Sequence, residues 1–239
     1  MGEHGKHRSL VRAALFTLLC LWAAPAAACR LALVLAVDVS SSVDGTEDQL
    51  QRGGLATALI SPEVQSAFFV SDDPVALMVF EWSGRDHQTV ILPWTLVSSQ
   101  ADLLLAAETI RNSTRSVSNA PTAMGHALGF ASQQLQVGPQ CLFQTIDVSG
   151  DGVNNDGFGP ALAYATFPFD GITVNGLVIT GAPDSPVSYF EEQVKRGPLS
   201  FVEIADGFAD FAAAMERKLI KELSARIIGL VPQPGQVPG

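Results

Sequence analysis

The chain alternates short apolar segments with amphipathic ones, and this alternation limits its fold more than any other feature. The first apolar segment, LALVLAV at 31–37, has no polar position, as expected of a strand buried on both faces of a sheet. A predicted helix follows from Asp44 to Ile60, with Asp44 as N-cap and Glu47 completing a capping box. Further strands are predicted at 74–82, 88–94, 141–149, 172–180 and 199–205, and further helices at 98–112, 122–135, 160–166, 187–196 and 206–225. This order predicts an α/β domain with a doubly wound, mostly parallel sheet covered by helices on both faces.

The first 28 residues have the three parts of a secretory signal peptide. A basic start is followed by an apolar run from Ala13 to Ala24 and by small residues up to Ala28. An uncleaved N-terminal anchor is the alternative. We expect a signal peptide at 1–28, one α/β domain at 29–228 and a flexible, Pro/Gly-rich tail at 229–239. No later apolar run approaches about 18 residues, so the mature chain should have no transmembrane span. The signal peptide predicts export to the periplasm or the extracellular space.

Cysteine usage agrees with export. Removal of residues 1–28 would take away Cys20 and leave Cys29 and Cys141. An even pair in an exported protein predicts one disulfide. The less favoured alternative is a lipid anchor on Cys29, which would be the first mature residue. Lipid attachment sites usually carry a large aliphatic residue where this chain has Ala26.

The charge balance excludes several classes of function. The chain has 24 acidic and 14 basic residues, for a formal net charge of −10. A nucleic-acid binder would need a basic footprint, and docking on anionic membranes would need a basic surface. The sequence also lacks the G-x-S-x-G, P-loop, G-x-G-x-x-G and H-E-x-x-H motifs. The pattern therefore favours a protein that is not an enzyme and has no nucleic-acid partner.

Polar residues follow the predicted strands where a ligand site is expected. Asp38, Ser40 and Ser42 come directly after the first strand, and Asp151 follows the fourth strand. Thr122 lies at the start of the predicted helix between them. In doubly wound sheets the ligand lies at the carboxyl ends of the strands, so these oxygens should meet at one edge. Carboxylate and hydroxyl oxygens suit a hard divalent cation such as Mg²⁺.

This pattern resembles the metal-ion-dependent adhesion site of von Willebrand factor A domains. The matching positions are Asp38, Ser40, Ser42, Thr122 and Asp151. More narrowly, the chain is similar to a bacterial family of exported A-type domain proteins of unknown function. That resemblance covers about residues 30–225 and is carried by the segments LVLAVDVSSSVD, EWSG, PTAMGHAL and IDVSGDGVNNDG.

The resemblance implies a six-stranded sheet of order 3-2-1-4-5-6. Cys29 and Cys141 would then lie at the same ends of adjacent strands, opposite the metal. It also implies Mg²⁺ as the first candidate cation, with Mn²⁺ and Ca²⁺ as alternatives. A protein partner would complete the coordination with an acidic side chain. The alternatives are a metal-dependent hydrolase and a structural A-type domain without metal-dependent binding.

Several nearby residues have a simpler interpretation. Asn154, Asn155 and Asp156 suit a solvated loop, with Asp156 at the rim of the site or on a weak second ion as the alternative. His126, Trp82 and Trp94 suit packing positions, and nothing in the spacing requires Glu81 to support the site.

Overall fold

A computed structural model describes residues 29–181 and 185–228. The predicted signal peptide at 1–28 and tail at 229–239 lie outside the described residues. The strands are β1 (Cys29–Asp38), β2 (Val75–Trp82), β3 (Gln88–Val97), β4 (Cys141–Gly150), β5 (Ile172–Ile179) and β6 (Val202–Ala205). They form a six-stranded sheet of order β3-β2-β1-β4-β5-β6, so the predicted order 3-2-1-4-5-6 is confirmed. Among these strands only the β2–β3 pair is antiparallel.

Seven helices cover the two faces of this sheet in the described part of the chain. They are α1 (Gly45–Leu59), α2 (Pro62–Phe68), α3 (Gln100–Arg111), α4 (Met124–Val137), α5 (Pro160–Thr166), α6 (Val187–Tyr189) and α7 (Phe211–Ile228). A π-helical turn at Phe190–Val194 continues α6, and a 3₁₀ turn at Phe208–Asp210 precedes α7. No described helix is long and apolar enough to cross a membrane.

The central strand β1 is buried along its whole length, as its apolar sequence predicts. Leu31, Leu33 and Leu35 belong to a core layer shared with α1, α3 and α7, whereas Ala32 and Val34 belong to the layer under α4. Successive side chains of a strand point to opposite faces, so one apolar run fills both layers. Because β1 pairs in parallel with β2 and β4, its carboxyl end lies at the same edge of the sheet as the ends of those strands.

A disulfide joins Cys29 and Cys141, and their Cα atoms are 4.6 Å apart. The two residues are register partners at the amino ends of β1 and β4, so the bond lies at the edge opposite Asp38. It closes a separation of 112 residues. In the chain-entropy model, a loop of that size stabilises the fold by about 4–5 kcal/mol.

Several element boundaries differ from the sequence prediction. The first helix is followed at once by a second, α2, because Ser61 caps it and Pro62 occupies its first turn. β6 begins at Val202 rather than 199, after Leu199 with φ 60°. The helix predicted at 187–196 is a short α-helix and a π-helical turn ending at Val194. The closing helix begins at Phe211 rather than 206, since residues 208–210 form a 3₁₀ turn.

A buried ionic cluster ties α7 to the sheet. Lys218 Nζ lies 2.8 Å from Asp147 Oδ1 on β4 and 2.6 Å from Glu222 Oε1. Asn175 on β5 donates to the same glutamate oxygen at 2.7 Å. Burial raises the pKa of Asp147 to about 7, against the pull of the lysine charge. One lysine between two carboxyls is compatible with burial when one of the carboxyls keeps its proton.

Candidate metal centre

The carboxyl end of β1 presents a buried carboxylate with one free oxygen. Asp38 is completely buried. Its Oδ1 accepts a 2.7 Å hydrogen bond from the Ser40 backbone N–H, while its Oδ2 is buried with no hydrogen-bond partner among the described residues. A buried carboxylate oxygen without a partner is costly, because ionised oxygens lose their hydration on burial. Asp147 Oδ2 and Glu222 Oε2 are also buried without a hydrogen-bond partner, but Lys218 forms ion pairs with both of their carboxyl groups. Asp38 forms no ion pair with a described lysine or arginine, so its free oxygen has the character of a ligand position.

Three more of the predicted ligands join Asp38 at this edge. Ser40 Oγ and Ser42 Oγ are 3.2 Å apart, and Ser42 Oγ donates to Asp151 Oδ1 at 2.7 Å. Asp151 follows β4, which is the parallel neighbour of β1. The structure therefore brings together oxygens from two segments separated by more than a hundred residues. Only hydroxyl and carboxylate oxygens are involved, and these are the donors that hard divalent cations prefer.

Gly150 allows this close approach. A Cβ at this position would lie 2.9 Å from Asp38 Oδ2, which is too short for a normal contact. The Asp38 carboxylate therefore sits directly against the backbone at the end of β4. The glycine before Asp151 is required by this packing and not by its backbone angles.

The electrostatic environment disfavours a bare negative charge on Asp38. Burial raises its pKa to about 7, and the nearby Asp151 charge adds to the effect. The hydrogen bond from the Ser40 N–H opposes it. A bound divalent cation would reverse the balance by stabilising the ionised carboxylate. The donors and the charge at this edge thus fit a cation.

The structure places Thr122 beside the loop that follows Asp151. Its backbone N–H donates to Asn155 Oδ1 at 2.9 Å, and its carbonyl accepts from the backbone N–H groups of Asn155 at 2.9 Å and Asp156 at 3.2 Å. The prediction that Thr122 opens a helix is wrong, because α4 begins at Met124. Thr122 lies two residues before α4, and Asn155 binds both its backbone N–H and its carbonyl group.

The loop at 151–159 is not simply solvated, which corrects that part of the sequence interpretation. Asn154 Oδ1 accepts from the Gly125 N–H at 3.3 Å, and the Asp156 carboxylate accepts two hydrogen bonds from Arg85, at 2.8 and 2.6 Å. These side-chain oxygens hold the loop against the start of α4 and against Arg85. His126 stacks on Phe158 with ring centroids 4.0 Å apart, which is a packing role.

Two residues that the sequence did not predict, Arg115 and Gln51, support the loop after β1 by hydrogen bonds to its backbone. Arg115 donates to the carbonyl oxygens of Val39, Ser40 and Val43 at 2.6, 2.9 and 2.7 Å. Gln51 Nε2 donates to the Asp38 carbonyl at 3.0 Å. The accepting carbonyl groups lie far along the sequence from Arg115 and Gln51, so no local motif predicts either contact.

Glu81 also has a supporting role that its spacing did not show. It is 1% exposed, and it accepts hydrogen bonds from Arg52 and from the Ser116 N–H. Arg52 is bound in turn to both Asp48 carboxylate oxygens, at 2.9 and 3.0 Å. This network connects α1 and β2 to the segment that carries Arg115.

The described residues contain no group of three or more His, Cys, Asp and Glu side chains placed to hold a metal ion. The candidate centre has two carboxylates, from Asp38 and Asp151, and its other predicted ligands are hydroxyls. It is therefore a different kind of site from a cluster of charged or imidazole ligands.

The sheet order and the polar edge after β1 and β4 define a von Willebrand factor A-like domain. A von Willebrand factor type A structure from Catenulispora acidiphila is similar, with a TM-score of 0.59 and 17% identity over 83% of this chain and 43% of that one. The chain belongs to the family described as Protein of unknown function (DUF1194), whose model matches residues 28–227. No curated protein sequence matches the chain.

Two further structures share the fold. One is proximal thread matrix protein 1 from the mussel byssus with a zinc-occupied MIDAS motif, with a TM-score of 0.55 and 16% identity over 82% of this chain and 46% of that one. The other is the pilus adhesin SpaC from Lactobacillus rhamnosus GG, with a TM-score of 0.58 and 15% identity over 83% and 31%. The chain spans less than half the length of each of these three structures.

Proposed function

We propose that the protein is a divalent-metal-dependent recognition module whose cation is held by Asp38, Ser40, Ser42, Thr122 and Asp151. The observation that carries the proposal is the buried Asp38 Oδ2, which has no described partner and lies beside the chain of contacts from Ser40 to Asp151. Mg²⁺ is the first candidate, and Mn²⁺ and Ca²⁺ are the alternatives. These ions share a preference for oxygen ligands.

A bound cation would offer a coordination position to an acidic side chain of a protein partner. Ser40 and Ser42 supply neutral oxygens, so the protein neutralises the ion with only two carboxylates. Asp38 and its buried surroundings keep water away from one side of the site. Ser42 is exposed, which leaves the other side accessible to a partner. This arrangement supports recognition rather than hydrolysis, because each side chain of the proposed site is assigned to holding the ion.

The structural neighbours support the proposal. The mussel protein is described with a zinc-occupied MIDAS motif, and SpaC is described as a pilus adhesin. At 15–16% identity these structures share only the fold with this chain. Metal binding and adhesion are therefore proposed here on the chain's own oxygen ligands.

We also propose that the protein is exported, to the periplasm or to the extracellular space. The basic start, the apolar run and the Ala-rich end of residues 1–28 support a signal peptide. The disulfide between Cys29 and Cys141 supports an oxidising compartment. The proposed domain then begins at residue 29 and ends at 228, with residues 229–239 as a tail.

Calorimetric titration with Mg²⁺ and Mn²⁺ tests the metal site directly. The wild-type protein should bind one ion, and Asp38→Ala should bind none. Asp170→Ala is the matched control, because Asp170 is exposed and precedes β5 at the opposite edge of the sheet. The absence of binding to the wild-type protein would overturn the proposal. Metal-dependent turnover of an ester or phosphoester would instead favour the hydrolase alternative.

A further inference from the structure

The segment at 113–120 lies between α3 and α4 and forms neither a helix nor a strand. One of its residues, Asn119, has a φ of 63°, in the left-handed region that side chains other than glycine rarely adopt. A segment without a helical or sheet ladder has to satisfy its backbone groups through individual contacts with its surroundings. Its position therefore depends on those few contacts.

This segment restrains three of the five proposed metal ligands. Arg115 donates to three carbonyl oxygens of the loop at 39–43, which carries Ser40 and Ser42. The carbonyl of Ala120 accepts a 2.8 Å hydrogen bond from a backbone N–H of the same loop. Thr122 follows Ala120 by two residues, so the end of the segment also sets where Thr122 lies.

Glu81 on β2 and Arg52 on α1 hold the segment in place. Glu81 Oε1 accepts from the Ser116 N–H at 2.7 Å, while Oε2 accepts from Arg52. Arg52 donates in turn to Ser113 Oγ at 2.7 Å. Glu81 is 1% exposed and Arg52 is 4% exposed, so water competes little for these hydrogen bonds. Two residues of the segment are thus fixed, one to the sheet and one to α1.

We propose that Glu81 is a positioning residue for the cation and acts on it through the segment at 113–120. Glu81 and Arg52 fix the segment, and Arg115 carries that position to the loop that holds Ser40 and Ser42. Groups that hold metal ligands in place affect metal affinity although they do not touch the ion. This inference rests on the proposed metal site and names a residue that the spacing of the ligands does not identify.

Glu81→Gln removes this restraint with little change in side-chain volume. A glutamine has one acceptor oxygen, so its NH₂ group has to face either the Ser116 N–H or the guanidinium of Arg52, and both of these are donors. One of the two contacts is therefore lost. Arg52 keeps its ion pair with Asp48, so the buried guanidinium remains neutralised.

Glu222→Gln is the matched control for the loss of a buried charge. Glu222 is 2% exposed and pairs with Lys218, which keeps Asp147 as its other partner. Both variants thus remove one of two carboxylates around one buried cation. Glu222 lies on α7 and not beside the segment, so only Glu81→Gln should affect the metal site.

Calorimetric titration with Mn²⁺ measures the effect on affinity. Glu81→Gln should bind Mn²⁺ about tenfold more weakly than the wild-type protein, whereas Glu222→Gln should bind with wild-type affinity. Combining Glu81→Gln with Arg115→Gln should weaken binding by much less than the roughly hundredfold product expected of independent sites, because both residues act through one segment. Unchanged affinity in Glu81→Gln, an equal loss in Glu222→Gln, or the full product in the double variant would overturn the proposal.

Amide hydrogen exchange of the metal-free proteins tests the restraint without the ion. Glu81→Gln should speed exchange about fivefold at Ser116 and at Ser41, which is the loop residue bonded to the segment. Exchange at Val39 should stay unchanged, because its N–H donates to a carbonyl of β2. Faster exchange at Ser116 alone would refute transmission to the loop. A wild-type protein that shows the expected exchange but binds no Mn²⁺ would refute the metal site and leave only a restrained loop.

Discussion

Replacing Asp38 with asparagine separates the charge of this buried carboxyl from its shape. The variant keeps a side-chain oxygen for the Ser40 N–H, which donates to Asp38 Oδ1 at 2.7 Å in the wild-type protein. It loses the negative charge beside Asp151. We expect metal-free Asp38→Asn to be more stable than the metal-free wild-type protein near pH 8, and we expect Mg²⁺ to stabilise only the wild type.

The size of this effect follows from the pKa of Asp38. Burial raises it from 3.8 to about 7, so the folded protein binds the proton more tightly than the unfolded chain. The stability of the wild-type protein therefore falls as the pH rises from 3.8 towards 7, and stays low above that range. At about 1.4 kcal/mol per pKa unit, the loss is about 4 kcal/mol. Asparagine has no such loss.

Urea denaturation of the two metal-free proteins between about pH 4 and pH 8 measures the difference. Asp147 also has a raised pKa, but it is present in both proteins and cancels. The stability gap should widen by about 4 kcal/mol across this range. Mg²⁺ at a hundredfold excess over its Kd should then add about 2.7 kcal/mol to the wild type alone. A gap that stays constant with pH, or equal stabilisation of both proteins, would refute the reasoning.

Three other substitutions test separate parts of the structure by denaturation and metal titration. Cys29→Ser should lower the free energy of unfolding by about 4 kcal/mol and leave metal affinity intact, because the disulfide lies at the opposite edge. Unchanged stability would contradict this. Arg115→Gln should weaken Mn²⁺ binding about tenfold by releasing the loop carbonyls, as removal of supporting contacts does in metal sites. An Arg115→Gln protein that binds Mn²⁺ with the wild-type affinity would contradict this expectation. Lys218→Met should cost about 3–5 kcal/mol by stranding Asp147 and Glu222, and Lys221→Met is its exposed control.

The sheet could be predicted because its determinants are local. The run at 31–37 is apolar at every position, and a run this short in a chain of alternating elements favours a strand buried on both faces. The helix boundaries that the sequence did not predict lie where a capping residue or a tight turn interrupts the apolar pattern. Ser61 and Pro62 start a new helix directly after α1, although the apolar pattern alone does not show the break. Phe208 lies on the expected apolar stripe, yet it belongs to a 3₁₀ turn rather than to α7.

The sequence predicts the proposed ligands of the candidate site better than the residues that support them. Asp38, Ser40 and Ser42 are close in sequence and directly follow a strand, so their spacing carries the information. Arg115 and Asn155 act on backbone groups that folding brings to them from far along the chain. Every residue has a backbone N–H or carbonyl, so such a contact leaves no pattern in the sequence. Only the tertiary structure identifies them.

Two buried aspartates in this sheet differ in whether the fold supplies a cation for them. Asp147 and Asp38 are both fully buried, and both have a pKa raised to about 7. Asp147 lies within β4 and faces Lys218, so the fold supplies its cation. Asp38 lies at the end of β1, next to a second carboxylate at Asp151, and forms no ion pair with a described lysine or arginine. Since a buried charge is tolerated only with compensation, the missing positive charge at Asp38 has to come from a ligand or a proton.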